Sequence, residues 1–379
     1  MPKPKIGIVG GGIGGVAAAV ALHQVGIEAT VYERAPQIRE AGAGMMLWPN
    51  ATRVLRGWGL LEHLREHSGS STHFLVRSSK GAILMNIALG SFDVPAITVR
   101  RSDLLAALLS ALPPHRIRLG QKLNRLEQSG NKVKISFASG IKAEHDIVIG
   151  ADGLRSRVRS ELFGQIDPIY RGYTVWRGVA RYDGAALFAG ANSETWGAGK
   201  RFGILNVGPQ KFVWYAAVNV PPDHLDRPEG RKYELLEAFK GWHEPIIDLI
   251  AATPETEIMK NGAYDLGPLR RWGVGRVTLL GDAAHPCTPN LGQGGGMALE
   301  DAAVLAKCLA QNNKLEAALR SYEDQRRQRT KHIQRRSRLM GEIAQWERRT
   351  IVAGRQLVTR LLPARLFEHN LRRVYSYEI

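Results

Sequence analysis

Ile6, Ile8 and Val9 make a short apolar run that stops at Gly10, and an alanine-rich stretch carrying Val16, Val20 and Leu22 follows at once. The pattern predicts a strand, a tight turn and a helix. A second apolar run, Ile27 to Tyr32, ends at Glu33. Ala51 to Leu64 reads as a helix, and Thr72 to Ile87 as strands broken at Gly81. Arg101 to Leu109 shows helical apolar spacing with Ser102 in the position of an N-cap. Arg116 to Leu119 and Lys132 to Phe137 read as strands with the turn Ser129-Gly130-Asn131 between them. Asp146 to Gly150 is continuously apolar after its first residue, as expected of a parallel strand buried on both faces.

From Tyr170 to Val220 the pattern changes to runs rich in aromatic and β-branched residues: Tyr173 to Val179, Ser193 to Trp196, Arg201 to Leu205 and Phe212 to Val218. These predict a mostly antiparallel sheet inserted into the first fold. Helices follow near Lys232 to Lys240 and Pro245 to Ala252. Arg276 to Leu280 returns as a buried strand, and a helix begins near Gly296 with Ala298, Ala302, Leu305 and Leu309 at helical spacing. Glu300 and Asp301 read as acids complementing the dipole of its first turn.

Gly10, Gly12 and Gly15 fit G-x-G-x-x-G, whose glycines permit the turn, admit a pyrophosphate to backbone N–H groups and let helix and strand pack closely. Glu33, 23 residues after Gly10, stands where a carboxylate accepts from both hydroxyls of a ribose. The competing reading is a glycine turn that binds nothing. Small residues from Ala41 to Gly44 would let the backbone lie against a large flat ligand. Arg101 can reach a phosphate or make a surface ion pair, and the residues alone do not choose. Two further turns follow strands, Ala151-Asp152-Gly153 and Gly281-Asp282, the second feeding a glycine-rich run, Gly292 to Gly296, and a helix. Two nucleotide-facing turns some 270 residues apart suit a long, two-ended cofactor.

At 379 residues the chain is long enough for two domains sharing an interface, and 44% hydrophobic content is ordinary for a globular protein. No signal peptide and no apolar stretch of about 18 residues is found, so a cytoplasmic protein is expected. Two cysteines, Cys287 and Cys308, without a C-x-x-C or a ligand cluster, indicate neither disulfides nor a metal site. Net charge is +17, and residues 314–373 hold 16 Lys and Arg against 6 Asp and Glu. Arg326, Arg327, Arg329, Lys331, Arg335, Arg336 and Arg338 lie round several helical faces with no interleaved aromatic platform. The expected state is a solvated helix without specific nucleic-acid binding, and contact with a membrane surface or nucleic acid through charge is the alternative reading.

Taken together, Gly10-x-Gly12-x-x-Gly15 with Glu33, then Asp152-Gly153 with Arg155, Ser156 and Arg159, then Gly281-Asp282-Ala-Ala-His285-Pro with Pro289 and Gly292-Gln-Gly294 resemble the single-component flavin-dependent aromatic hydroxylases. This group includes para-hydroxybenzoate, salicylate, urate and 6-hydroxynicotinate hydroxylases. The motifs span residues 5 to about 310, and the combination is far more specific than any part. The resemblance implies an α/β fold: a Rossmann-like FAD-binding domain at 1–72, 98–169 and 270–325, an inserted β-sheet substrate domain at 73–97 and 170–269, and a helical region at 326–379. It implies bound FAD, with Gly10, Gly12, Ile13, Gly14 and Gly15 on the pyrophosphate and Glu33, with Arg34 beside it, on the adenosine ribose. Arg101 would contact the phosphate side, and Asp282 the ribityl or pyrophosphate end. Gly44, Leu126, Asp152, Gly153 and Gly281 complete that set, with Pro289, Gly292, Gly294, Gly295, Gly296 and Met297 along the flavin ring. His285 is usually structural in this motif, and Cys287 occupies a variable position.

The resemblance further implies that NADH or NADPH reduces the flavin, that O2 gives a C4a-hydroperoxide, and that a small aromatic or heteroaromatic ring is hydroxylated. Trp48, Trp176, Trp196, Arg201, Tyr215 and Pro289 are the expected substrate-lining residues, with Arg201 and Tyr215 the catalytic candidates by likeness to urate hydroxylases and other relatives. For each aromatic the alternative is ordinary core packing. The alternative function is a same-fold flavoprotein acting on a bulkier or non-aromatic substrate: a quinolone or polyketide hydroxylase, an epoxidase or a reductase. A plain NAD-dependent dehydrogenase would share only the first motif. A monomer or homodimer is expected.

Overall fold

The computed structural model of the chain describes residues 3–38, 44–89, 92–183, 190–362, 372 and 374–378. Its nucleotide-binding part is built on strand β1 (Ile6–Val9), helix α1 (Ile13–Gln24), strand β2 (Ala29–Tyr32) and strand β3 (Ile147–Gly150). All four residues of β1 and of β3 are buried, and β1 lies parallel between β2 and β3. A strand sealed on both faces has no polar positions to alternate with, which is why these segments read as unbroken apolar runs. The six-stranded sheet is completed by Ile117–Arg118 beyond β2, and by Val277–Leu279 and Gly273–Val274 beyond β3. The small side chains of α1 let it sit close to the sheet and to the later helix Gly294–Gln311: a Cβ on Gly14 would lie 3.1 Å from Leu280 and 3.5 Å from Ala298.

The inserted sheet has seven strands. Strand β4 (Ile169–Arg181), β5 (Ala191–Trp196), β6 (Lys200–Asn206) and β7 (Lys211–Asn219) run in the spatial order β4-β7-β6-β5, flanked by Met259–Asp265 on one side and by His73–Ser78 and Ile83–Ala88 on the other. Every pairing is antiparallel except that of β5 with His73–Ser78. One face, carrying Trp176, Phe202, Trp214 and Ala216, is covered by helices Arg231–Ala238 and Ile246–Ala252. Strand β8 (Val277–Leu279) then leads to helix α2 (Gly294–Gln311), the long helix α3 (Leu315–Ala344) and helix α4 (Arg349–Leu361). Together this is the mixed α/β architecture of the para-hydroxybenzoate hydroxylase type.

Several local expectations are corrected. The helix foreseen over 51–64 is two helices, Pro49–Gly57 and Leu61–Glu66, separated at Gly59, whose φ of +74° a helix cannot continue through. Arg100, not Ser102, is the N-cap of helix Arg101–Ser110: its backbone is extended and its guanidinium pairs with Asp103 at 2.7 Å, while Ser102 is already inside the helix and its hydroxyl donates to Asp103. The turn 129–131 joins Lys132–Phe137 to a strand that the pattern did not reveal, Leu123–Ser129, whose residues are mostly polar and exposed. Glu300 and Asp301 lie beyond the first turn of α2 and are fully buried. Finally, α3 is not a solvated helix throughout: Arg326 is fully buried, its guanidinium 2.6 Å from Glu300 and 2.7 Å from Asp301, while Arg329 makes a second pair to Glu300 at 2.6 Å.

Candidate active site

Three turns meet where the nucleotide sheet faces the inserted sheet. At the first, Gly10 takes φ +114° and a Cβ there would lie 2.4 Å from the Ala151 carbonyl oxygen. A Cβ on Gly15 would lie 1.9 Å from the Gly10 carbonyl oxygen, so the turn tolerates no side chain. Gly12 is the extended N-cap of α1 and has no side-chain cap, leaving the first N–H groups of the helix (Ile13, Gly14) directed out of its end. Glu33, at the end of β2, accepts from the N–H of Gly11 at 2.6 Å and of Ala35 at 2.8 Å, which ties the glycine turn to the position where a ribose would lie. Arg34 is exposed beside it.

At the second turn, Asp152 accepts from Ser156 Oγ at 2.5 Å and from the N–H groups of Arg157 and Val158 at 2.6 and 3.1 Å. It organises the start of helix Arg157–Phe163, and burial raises its pKa against those hydrogen bonds. Gly153 adopts φ +79°. Arg159 is buried and donates to the carbonyls of Ala283 at 2.9 Å and Leu154 at 2.6 Å, so it joins the second turn to the third. Leu126 packs nearby, its N–H reaching Glu161 at 3.4 Å.

At the third turn, Gly281 takes φ +61° and donates its N–H to Asp301. The Asp282 side chain keeps an accessible surface although it is set deep among protein atoms; it faces an internal cleft. Desolvation raises its pKa, opposed by the charges of His285 and Arg101. A Cβ on Gly294 would lie 4.0 Å from Asp282 Oδ1 and 3.9 Å from Cys287 Sγ, so the acid stands beside the N-terminus of α2. Burial pushes the Cys287 thiol up, which leaves it an inert small group. His285 is not turned to the cleft: it is buried, 2.5 Å from Asp301, and packs on Trp272. Burial would raise the pKa of Asp301, but the neighbouring charges of His285 and Arg326 outweigh it and hold the carboxyl at about 2.

The loop before α2 fits a flat ligand. Gly292 is left-handed at φ +59°, and Trp48 Nε1 lies 3.1 Å from where its Cβ would stand. Trp48 Nε1 and Gln293 Nε2 are buried without a hydrogen-bond partner among the described residues, two donors on either side of the glycine. Pro289 opens this loop and is exposed; Gly295 and Gly296 are closed by Met45 and Asn50, and Met297 is in the core. Gly44 is pressed between Val213 and Val99, while Ala41, Gly42 and Ala43 lie outside the described residues. The glycine cradle, the acid facing a cleft, the unpartnered donors and the helix N-terminus together fit a dinucleotide with a flat aromatic end.

The inserted sheet closes the cleft with one cross-strand row. Glu194 on β5 pairs with Gly203 on β6, Gly203 with Tyr215 on β7, and Tyr215 with Arg177 on β4. A Cβ on Gly203 would fall 2.0 Å from the Tyr215 ring; its absence lets the ring lie across β6 and donate its hydroxyl to Glu194 Oε2. Glu194 also accepts from Trp196 Nε1 at 2.5 Å and pairs with Arg201 at 3.3 Å. Burial, with the Glu194 charge, pushes the Tyr215 pKa well above the usual range, so it stays a neutral phenol. Arg177 bonds to neutral Asn261 at 3.4 Å, and burial followed by the charge of Arg101 lowers its pKa. Arg177, Arg101 and Asp282 therefore share one electrostatic neighbourhood, although they are far apart in sequence.

The sequence-predicted substrate residues divide. Tyr215 is on the cleft face. Arg201 is on the same face but buried and saturated by Glu194, by Gln345 at 3.0 Å and by Asn290 at 2.7 Å, above the Tyr173 ring. Trp176 points the other way, into the core under the two covering helices, because its neighbours Val175 and Arg177 take the cleft side of the strand. Trp48 stacks on Tyr375 at 4.1 Å and 7°, and Trp196 lies under the Arg355 guanidinium at 5.2 Å. Glu194, Gly203, Arg177, Asn290 and Gln345 were not foreseen. A carboxylate two residues before a tryptophan, and so on the same strand face, in Ser193-Glu194-Thr195-Trp196, was the one visible signal.

Comparison with known proteins agrees with this geometry. The FAD binding domain model matches residues 3–337. The aurachin C monooxygenase/isomerase of Stigmatella aurantiaca is 36% identical over 370 residues, covering 97% of this chain and 96% of that protein. The 6-hydroxynicotinate 3-monooxygenase of Pseudomonas fluorescens is 38% identical over 350 residues, covering 88% and 90%. Among solved structures, Klebsiella pneumoniae HpxO complexed with FAD and uric acid superimposes with a TM-score of 0.92 at 28% identity, covering 98% of this chain and 96% of that one. The chain belongs to the FAD binding domain family. It is an FAD-dependent monooxygenase of the aromatic hydroxylase group, and no described helix is long and apolar enough to cross a membrane.

Proposed function

We propose that this enzyme uses NADH or NADPH and O2 to hydroxylate a small aromatic or heteroaromatic compound carrying an acidic O–H or N–H on the ring. The observation that carries the substrate class is the Tyr215–Glu194 hydrogen bond: with its only hydrogen given to Glu194, the Tyr215 oxygen presents lone pairs to the cleft and asks for a donor.

FAD, held by Gly10 to Gly15, Glu33, Arg101, Asp282 and the Gly292–Met297 loop, supplies reduction by the nicotinamide and activation of O2. The chain does the rest. The N-terminus of α2 offers positive dipole to negative charge on the bound ring system. Tyr215 receives the substrate proton at Oη and passes its own to Glu194 Oε2, leaving the substrate ring electron-rich for attack. Arg177, beside Tyr215 in the cross-strand row, offers a positive charge to an acidic group on the ring. Arg201 is reassigned from substrate cation to the partner that holds Glu194 in place. The buried sheet face excludes water from the reacting atoms.

The activity of the 6-hydroxynicotinate relative and the uric acid bound by HpxO support a planar heteroaromatic substrate such as a hydroxypyridine or a purine. The second reading, less supported by these relatives, is a bulkier ring substrate. A panel of aromatic acids, N-heteroaromatics, quinolones and polyketides, assayed for substrate-stimulated NAD(P)H oxidation and for incorporation of labelled O2 into product, separates the two. Protein that gains no label with any ring compound would refute the proposal.

A further inference from the structure

Helix α4 is built inside out. Its inward positions are Val352, Arg355 and Thr359, spaced by three and four residues, and all are buried. Arg355 donates inward to the carbonyls of Ile343, Ala344 and Gly197 at 2.8–2.9 Å and covers Trp196. The opposite stripe is apolar and turned to solvent: Ile351 is 41% exposed, Leu357 58%, Val358 55% and Leu361 71%. A helix ordinarily spends its apolar stripe on the core. Here the arginine goes in and the leucines go out.

The charges on the helix and its cap are all of one sign, with the exposed Glu347 just ahead of them. Arg348 caps the helix, Arg349 begins it and Arg360 nearly ends it; all three are exposed, and α4 contains no Asp or Glu. We infer that α4 docks the enzyme on an anionic lipid surface, lying in the interface plane with Ile351, Leu357, Val358 and Leu361 among the acyl chains and Arg349 and Arg360 on the headgroups. Its 13 residues span roughly 20 Å, too short to cross a bilayer and ample to lie on one. A second copy of the chain fits less well, since a symmetric contact would bring Arg349 and Arg360 of each copy together with no acid in either helix to answer them. Specific nucleic acid fits less well too, because the centre of the patch is aliphatic. This assignment gives the basic C-terminal region a role that the oxygenase reaction does not use. It also joins the lipid surface to the cleft through three side chains, since Arg355 rests on Trp196, Trp196 donates to Glu194 and Glu194 accepts from Tyr215.

The test is co-sedimentation of the FAD-loaded enzyme with vesicles of phosphatidylcholine alone or mixed with phosphatidylglycerol. Binding to the mixed vesicles should exceed binding to the neutral ones by about tenfold and fall as salt rises. Leu357→Glu/Leu361→Glu and Arg349→Glu/Arg360→Glu should each reduce it by about tenfold while the proteins stay yellow and elute like the parent. Equal binding to both vesicles, or binding indifferent to both double substitutions, overturns the inference. Concentration-dependent self-association that Leu357→Glu/Leu361→Glu abolishes, without vesicle binding, overturns it in favour of a second copy.

Discussion

Tyr215 reaches Glu194 only because the residue between them on the intervening strand is Gly203. The hydrogen bond crosses a whole strand of the inserted sheet, and it decides which way the phenol presents itself to the cleft. Tyr215→Phe should therefore raise the dissociation constant of substrate about tenfold, the scale of one hydrogen bond of about 1.5 kcal/mol. Gly203→Ala should produce the same loss without touching either partner, since its methyl occupies the ring's position. Substrate titration of the flavin spectrum measures both, with FAD content unchanged. Normal binding in both variants would exclude Tyr215 from the substrate site.

The cofactor contacts make a second, separable set. Glu33→Ala and Asp282→Ala should each weaken FAD binding by roughly 1.5–3 kcal/mol, the range for hydrogen bonds to charged groups. Gly15→Ala should yield colourless protein, because its Cβ would meet backbone rather than a movable side chain. Flavin fluorescence on dilution reads all three, and retention like the parent in the two acid variants would place the ribose and ribityl contacts elsewhere.

Arg326 tests the reading of the basic region. Removing it leaves Glu300 to Arg329 and Asp301 to His285, each with one charged partner fewer, so Arg326→Ala should cost about 3 kcal/mol of stability, the low end for breaking a buried ion pair. The exposed Arg335→Ala, nine residues on, should stay within about 0.5 kcal/mol of the parent. Denaturant melts compare them; equal effects would show that the buried cluster contributes nothing.

His145 gives a pH signature. Burial lowers its pKa from 6.5 to about 4, and it hydrogen-bonds Tyr32 at 3.0 Å against the edge of β1. The unfolded chain binds this proton from about pH 6.5 downward, whereas the folded protein refuses it until about pH 4. Stability should thus be full above pH 6.5 and fall as pH drops toward 4, by about 3 kcal/mol from this group. Thermal melts across that window should be flatter for His145→Gln, and identical slopes would remove the histidine from the account.

The cofactor half of this protein is legible in one dimension because its signals are local. Ile6 to Gly15 carries its own strand, turn and helix, and a glycine required by a carbonyl five residues away is visible in the sequence itself. The continuous apolar runs at 6–9 and 147–150 name buried parallel strands for the same reason. The substrate half is different. Alternation along Ser193-Glu194-Thr195-Trp196 says that Glu194 and Trp196 share a face, but not which one, and nothing in it says that β6 lies between Glu194 and Tyr215. Trp176 and Arg177 are neighbours in sequence and face opposite ways, so only the sheet's orientation against its covering helices decides which one meets the cleft. Arg201 reads as a spare cation until Glu194 from the neighbouring strand and Asn290 and Gln345 from two distant segments each take one of its nitrogens. Arg326 and Arg360 are both arginines in a basic tail, and the placement of α2 against α3 alone makes one of them a buried ion pair. Periodicity fixes which residues share a face; long-range packing and strand register fix what that face meets, and the energy of a buried charge depends wholly on the second.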